Sequence, residues 1–249
     1  MRRRNWFVAA LLGAALAAGF AVVASLTSRA TTTSGENPLW QIGDAWIPAN
    51  TGQCGAPAFP TPTSADFALV KNGTSCERNQ LNPVGNGGSG AYLLTPGKSY
   101  TFSFQTVTRM GIDTGKFTQR LVWQIHDYGC GTSPYTVLGI QNMTGAPDGQ
   151  TWYFQTGAQG KSVVTLPYTE GATDSWKITV IPESSDTGHV TASRNGAQFI
   201  DQQDQVFACG AAPFWNFGPY QWNWVARGSG VSSLTQVGIR FNYMELTTP

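Results

Sequence analysis

Apolar side chains recur at every second position through much of this chain of 249 residues. Tyr100, Phe102 and Phe104 alternate with Thr101 and Ser103. Trp152 and Phe154 alternate with Tyr153 and Gln155, and Trp176, Ile178 and Val180 with Lys177 and Thr179. Val237, Ile239, Phe241 and Tyr243 alternate with Gly238, Arg240 and Asn242. A period of two marks a strand with one face in a core, and each run is bounded by Gly, Pro, Asn or Asp. Helical periodicity is almost absent. Asn195-Gly196, between Val190-Thr191-Ala192 and Phe199-Ile200, predicts a two-residue hairpin. Many short strands with turns between them predict an all-β protein, an antiparallel sandwich or β-jelly roll.

The N-terminus reads differently. Arg2, Arg3 and Arg4 precede an apolar run from Trp6 to about Leu26, and small residues follow. Residues 1–30 are therefore expected to be a secretory signal peptide. The run is also just long enough for residues 6–26 to remain as a membrane anchor. Either reading places the folded part outside the cytoplasm, secreted or held at the outer face of a membrane. Residues 31–45 are expected to be a polar linker, and 46–249 one jelly-roll domain, monomeric and large enough for a real core.

Residues 1–30 hold four of the fifteen Lys and Arg and none of the fourteen Asp and Glu. Without them eleven cations face fourteen anions, a net charge of −3. That balance gives no basic field for nucleic acid. Four cysteines remain: Cys54, Cys76, Cys130 and Cys209. An even count in an exported chain predicts two disulfides, and the spacings match no zinc pattern. Of three possible pairings we favour Cys54–Cys76, which closes a local loop, and Cys130–Cys209.

Two stretches carry chemistry. In Arg120-Leu121-Val122-Trp123-Gln124-Ile125-His126, strict alternation sends Leu121, Trp123 and Ile125 to a core and sets Arg120, Gln124 and His126 in one row. An imidazole aligned with an amide and a guanidinium suits acid/base work, although a structural histidine at a strand end fits equally well. In the stretch from Phe214 to Trp224, an extended chain puts Asn216, Tyr220, Trp222 and Trp224 on one face. Rings beside amides suit a sugar groove, since apolar sugar faces stack on rings and hydroxyls pair with amides. An aromatic core patch is the competing reading. Pro219 predicts an edge or bulged position.

These motifs, in this order, resemble the jelly-roll polysaccharide lyases of the heparinase I and glucuronan/alginate lyase type. That family carries an early Arg-x-Glu-like element, a middle Gln-x-His strand followed by Ser-Pro, and a late Lys-x-Gly-x-Tyr strand. Here Arg78-Asn79-Gln80, Gln124-Ile125-His126 with Ser133-Pro134, and Asn216-Phe217-Gly218-Pro219-Tyr220 correspond. Trp176-Lys177, Thr187-Gly188 and Arg194-Asn195-Gly196 also fit the layout, so the likeness covers roughly residues 60–245. Gln80 stands where the family often has Glu, and Asn216 where it often has Lys.

The resemblance implies a concanavalin-like roll with one concave groove and β-elimination on a uronate-containing polysaccharide. The proton beside the sugar carboxylate is removed, and the glycosidic oxygen on carbon 4 leaves. Such chemistry needs the carboxylate charge offset, a base and an acid. Arg78 and Gln124 could donate to the carboxylate, His126 or Tyr220 could be the base, and Tyr220 could protonate the leaving oxygen. Gln80, Arg120, Asn216, Trp222 and Trp224 would bind the sugar. The scheme requires no metal or cofactor. A non-catalytic glycan-binding module is the first alternative, since fold does not fix function. A glycoside hydrolase is the second, and it would need two carboxylates across the bond.

Overall fold

The computed structural model describes residues 46–49, 57–61, 63–70, 78–83, 93–109, 111, 119–127, 134–146, 149–157, 162–208, 213–221 and 234–248. The expected leader 1–30, the linker 31–45, Cys54, Cys76, Cys130, Cys209, Ser133, Trp222 and Trp224 lie outside the described residues.

Among the described residues, fourteen strands form two sheets of seven. In spatial order the first sheet is β1 (Trp46–Ala49), β4 (Gln80–Pro83), β13 (Pro213–Tyr220), β6 (Gln119–Asp127), β7 (Thr136–Asn142), β8 (Gln150–Thr156) and β9 (Ser162–Pro167). The second is β12 (Ala197–Val206), β11 (Thr187–Arg194), β10 (Thr173–Pro182), β5 (Tyr100–Arg109), β14 (Gln236–Thr247), β3 (Ser64–Val70) and β2 (Ala58–Thr61). All the pairings are antiparallel. Distant segments are neighbours in both sheets: β13 lies between β4 and β6, and β14 between β3 and β5. This is the predicted β-jelly roll.

The alternating runs supply the core between the sheets, where Tyr100, Phe102, Phe104, Trp152, Phe154, Trp176, Ile178, Val180, Val237, Ile239 and Phe241 are buried together. Phe102 of one sheet meets Trp123 and Trp215 of the other edge-on, at 5.0 and 4.9 Å between ring centres. Edge-to-face pairs at such distances add roughly 0.5–1.5 kcal/mol beyond the area they bury. They also fix the inward sides of β6 and β13, and hence what those strands show outward.

A second tie is polar. The buried Asp174 carboxylate on β10 accepts from Trp152 Nε1 on β8 at 3.1 Å and from Arg194 Nε at 2.8 Å. The Asn195-Gly196 hairpin forms between β11 and β12, with φ of 51° and 84° at its two residues. At β14 the period of two breaks. An irregularity between Phe241 and Tyr243 turns Tyr243 out of the row and brings Met244 opposite Phe104 in the core. Alternation read straight through to Tyr243 was wrong at that last step.

Candidate active site

The site is built on the face of the first sheet turned away from the second. With Trp123 and Ile125 in the core, Gln124 and His126 must point to the opposite face. β13 runs beside β6 in a register that pairs Phe214 with His126, Asn216 with Gln124, and Tyr220 with Leu121. Paired residues share a face, so Asn216 and Tyr220 join Gln124 and His126 there. The Gln124–Asn216 pair lies between the histidine and the tyrosine along the sheet. The rings of His126 and Phe214 are 5.7 Å apart and inclined at 32°.

Arg78-Asn79-Gln80 is clamped to Gly218-Pro219-Tyr220. Arg78 forms a bridge with Tyr220, and its guanidinium carbon lies 4.0 Å from the centre of the tyrosine ring. Asn79 N donates to Pro219 O at 3.0 Å, and Gln80 Nε2 donates to Gly218 O at 3.0 Å. The Asn79 side chain faces inward and donates to Ala68 O on β3 at 3.0 Å. The register slips between Phe217 and Tyr220, so β13 bulges at Gly218-Pro219 while remaining inside the sheet. Gly218 has φ of +110°, and a Cβ there would come within 2.4 Å of Asn79 O and 2.9 Å of the Phe67 ring. Only glycine fits that approach.

Gln80 and Gln124 meet across β13, with Gln124 Nε2 donating to Gln80 Oε1 at 3.3 Å. Both are fully buried, and Asn216 is 2% exposed. Arg78, His126 and Tyr220 are half-buried. The arrangement therefore has a floor of neutral amides, with a guanidinium, a phenol and an imidazole around it.

Arg120 is not part of it. A bulge between Leu121 and Trp123 in the pairing of β6 with β7 reverses the alternation. Arg120 pairs with Ile140 on the core side, is fully buried, and donates through Nη1 to Gln150 Oε1 at 2.8 Å. The expectation that Arg120 lies in one row with Gln124 and His126 and binds sugar is corrected by this placement. Leu121 takes the outward position instead, clustered with Val137 and Tyr153, and Tyr220 packs against that cluster.

Tyr153 is the site-face residue that sequence reasoning missed. Its ring lies over Gly139, where a Cβ would stand 2.6 Å from it. Burial pushes the Tyr153 hydroxyl pKa well up, and the Arg120 charge offsets part of the shift. The signal was present, since Tyr153 alternates with the core residues Trp152 and Phe154. Trp176-Lys177 and Arg194-Asn195-Gly196, which fit the family layout, belong to the second sheet and lie away from this face.

The first sheet is nearly free of acids. Among its seven strands as described, the one acidic residue is Asp127, at the end of β6. No group of three or more His, Cys, Asp or Glu among the described residues is placed to hold a metal ion.

No protein-family model matches this sequence, and no curated protein matches it. Solved structures do resemble it. An alginate lyase from Corynebacterium sp. superposes with a TM-score of 0.58 at 17% identity, over 83% of this chain and 95% of that one. Alginate lyase AlgAT5 from polysaccharide lyase family 7 gives 0.57 at 13% identity, over 83% and 95%. A family 7 alginate lyase, A1-II', solved in complex with substrate (GGMG), gives 0.52 at 13% identity, over 80% and 82%. At these identities the likeness is one of fold.

Proposed function

We propose that this protein is a polysaccharide lyase that cleaves a uronate-containing polysaccharide by β-elimination, with alginate as the first polymer to test. The observation that carries the reading is the gathering of Arg78, Gln124, His126 and Tyr220 from three sequence segments onto one face of one sheet. The fold shared with alginate lyases supports it. A hydrolase needs a pair of carboxylates across the bond, and this sheet offers one acid among its described strands.

In this reading Arg78 holds the sugar carboxylate and offsets its charge, so that the neighbouring carbon can lose its proton. The second N–H of Gln124 adds to that support. His126 and Tyr220 are the proton-transfer groups, on the same face and on adjacent strands. Tyr220 gives its proton to the leaving glycosidic oxygen, and the guanidinium over its ring stabilises charge that builds on the phenol oxygen. Leader 1–30, cleaved or retained as an anchor, would deliver the domain outside the cytoplasm, and N-terminal sequencing of the exported protein tests that part.

A non-catalytic glycan-binding module is favoured by one observation, the uncharged floor of Gln80, Gln124 and Asn216. One experiment separates the two. The purified protein is incubated with alginate and other uronate polymers while ultraviolet absorbance of the unsaturated product is followed. Rising absorbance supports elimination. Binding without it across the panel supports the module.

A further inference from the structure

One row of residues crosses four adjacent strands of the site face. Tyr220 on β13 stands opposite Leu121 on β6, Leu121 opposite Gly139 on β7, and Gly139 opposite Tyr153 on β8. Gly139 would leave a gap in that row, and the ring of Tyr153 fills it. A Cβ on Gly139 would stand 2.6 Å from Tyr153 Cε1 and 2.7 Å from Cζ, so the hydroxyl end of the ring reaches from β8 onto β7. The same Cβ would come within 2.5 Å of Arg120 O, a second reason for glycine there. Tyr153 is thereby clustered with Leu121 and Val137, and Tyr220 packs against that cluster.

Tyr220 needs such support. The register of β13 slips just before it, between Phe217 and Tyr220, so a regular ladder does not fix its side chain. Side chains on either hand must do so. On the β4 side the Arg78 guanidinium carbon lies 4.0 Å from the centre of the ring. On the β6 side is the cluster that Tyr153 completes. A group misplaced by about 1 Å in a reacting site can cost about 10²-fold in rate. Tyr153 itself is 2% exposed, too little to take part in sugar contacts. Burial pushes its hydroxyl pKa well up, so the phenol stays protonated at neutral pH. Any effect on the reaction therefore passes through its neighbours.

We propose that Tyr153 is a positioning residue for proton transfer: its ring, laid over Gly139, backs the cluster that holds the Tyr220 ring beside Arg78. The ring of Tyr153 is what serves, and its hydroxyl is not required. This rests on the reading of Tyr220 as a proton-transfer group and deepens it, by assigning what keeps that group in place.

The test uses the full chain, with rates corrected for folded protein. Tyr153→Leu removes the ring and should lower kcat by about 10- to 100-fold, with KM within about threefold of wild type. Tyr153→Met is the substitute if the leucine variant does not fold. Tyr153→Phe puts the ring back and should recover kcat to within about threefold of wild type. In a Tyr220→Phe background the further change Tyr153→Leu should cost less than about threefold, because the group it positions has already lost its proton. A purely structural role would cost the same factor in both backgrounds. A second readout needs no activity. With ring-labelled ¹³C-tyrosine, the Tyr220 resonance is identified by its loss in Tyr220→Phe, and it should shift in Tyr153→Leu but not in Tyr153→Phe. An unmoved resonance, an unchanged kcat in Tyr153→Leu, equal losses in the two backgrounds, or equal damage from Phe and Leu would each overturn the proposal. A shifted resonance in a protein that eliminates no uronate polymer would uphold the placement of Tyr220 by Tyr153 and fail the lyase reading alone.

Discussion

The guanidinium carbon of Arg78 sits 4.0 Å from the centre of the Tyr220 ring. The two residues are 142 positions apart in sequence and are joined by a backbone bridge, so the contact is built by the sheet. Tyr220→Phe keeps the ring, its approach to Arg78 and its packing against the cluster of Leu121, Val137 and Tyr153, and deletes only the hydroxyl. It should lower turnover by about 10²- to 10⁴-fold while glycan affinity stays within a few-fold. Steady-state rates with calorimetry check this, and near-normal turnover would remove Tyr220 from the mechanism. Arg78→Lys keeps the charge but loses the planar group that can grip a carboxylate through two bonds. Its turnover should also fall.

Gln80→Glu restores the residue common in the resembling family, yet it should do harm here. The Gln80 amide donates to Gly218 O at 3.0 Å and accepts from Gln124 at 3.3 Å. An ionised carboxylate keeps the second bond and sets two oxygens against each other at the first. The loss should be about 1–3 kcal/mol at pH 7. Burial away from a paired cation raises the carboxyl pKa in the folded state, so the variant gains stability relative to its unfolded state as pH falls and the acid becomes a donor. Denaturant titrations at pH 7 and pH 5 should show the gap to wild type narrowing. A variant equal to wild type at pH 7 would mean that the Gly218 carbonyl does not set this amide.

Much of this architecture was legible in the chain because antiparallel strands write their burial directly into a period of two. Trp176, Ile178 and Val180 faced inward as their spacing required, and Asn195-Gly196 made its hairpin. Legibility failed where a bulge adds a residue to one strand. The shift at Leu121–Trp123 moved Arg120 into the core, and the shift after Phe241 exchanged Tyr243 for Met244. A bulge costs the sequence no special residue, so alternation alone cannot locate it. At Gly218-Pro219 the residues do announce the bulge, and Pro219 was read as marking one. The meeting of Gln80 and Gln124 had no local signal, because it depends on β4 and β6 lying on either side of β13.

Asp66 and Arg240 face each other across β3 and β14, with Nε and Nη2 of the arginine donating to the two carboxylate oxygens at 2.5 and 2.6 Å. The arginine hydrogen bonds hold the Asp66 carboxyl below its ordinary value of 3.8, against a smaller opposing effect of burial. A carboxyl whose folded pKa is depressed stabilises the fold above its unfolded pKa, and that contribution is lost as pH falls through the folded value. Asp66→Asn should therefore lower the thermal midpoint at pH 7, and the difference from wild type should shrink as pH falls below about 3.8. An equal difference at pH 7 and pH 2 would show that the ion pair is not its source.

Gly218 joins the fold to the site. Its φ of +110° is reached readily only by glycine, and a methyl group would strike Asn79 O and the Phe67 ring at 2.4 and 2.9 Å. Neither neighbour can retreat cheaply. Asn79 is tied through its backbone N to Pro219 O and through its side chain to Ala68 O, while Phe67 is wedged edge-on against Phe217 and Phe241. Gly218→Ala should cost about 2 kcal/mol or more in stability, from backbone strain and overpacking together. The same displacement would pull the Gly218 carbonyl off Gln80 and shift the bridge between Arg78 and Tyr220, so the folded fraction should also lose turnover. Thermal unfolding and rates corrected for folded protein measure the two losses separately. A variant that is destabilised but fully active when folded would show that the bulge holds the sheet together without setting the geometry of Arg78 and Tyr220.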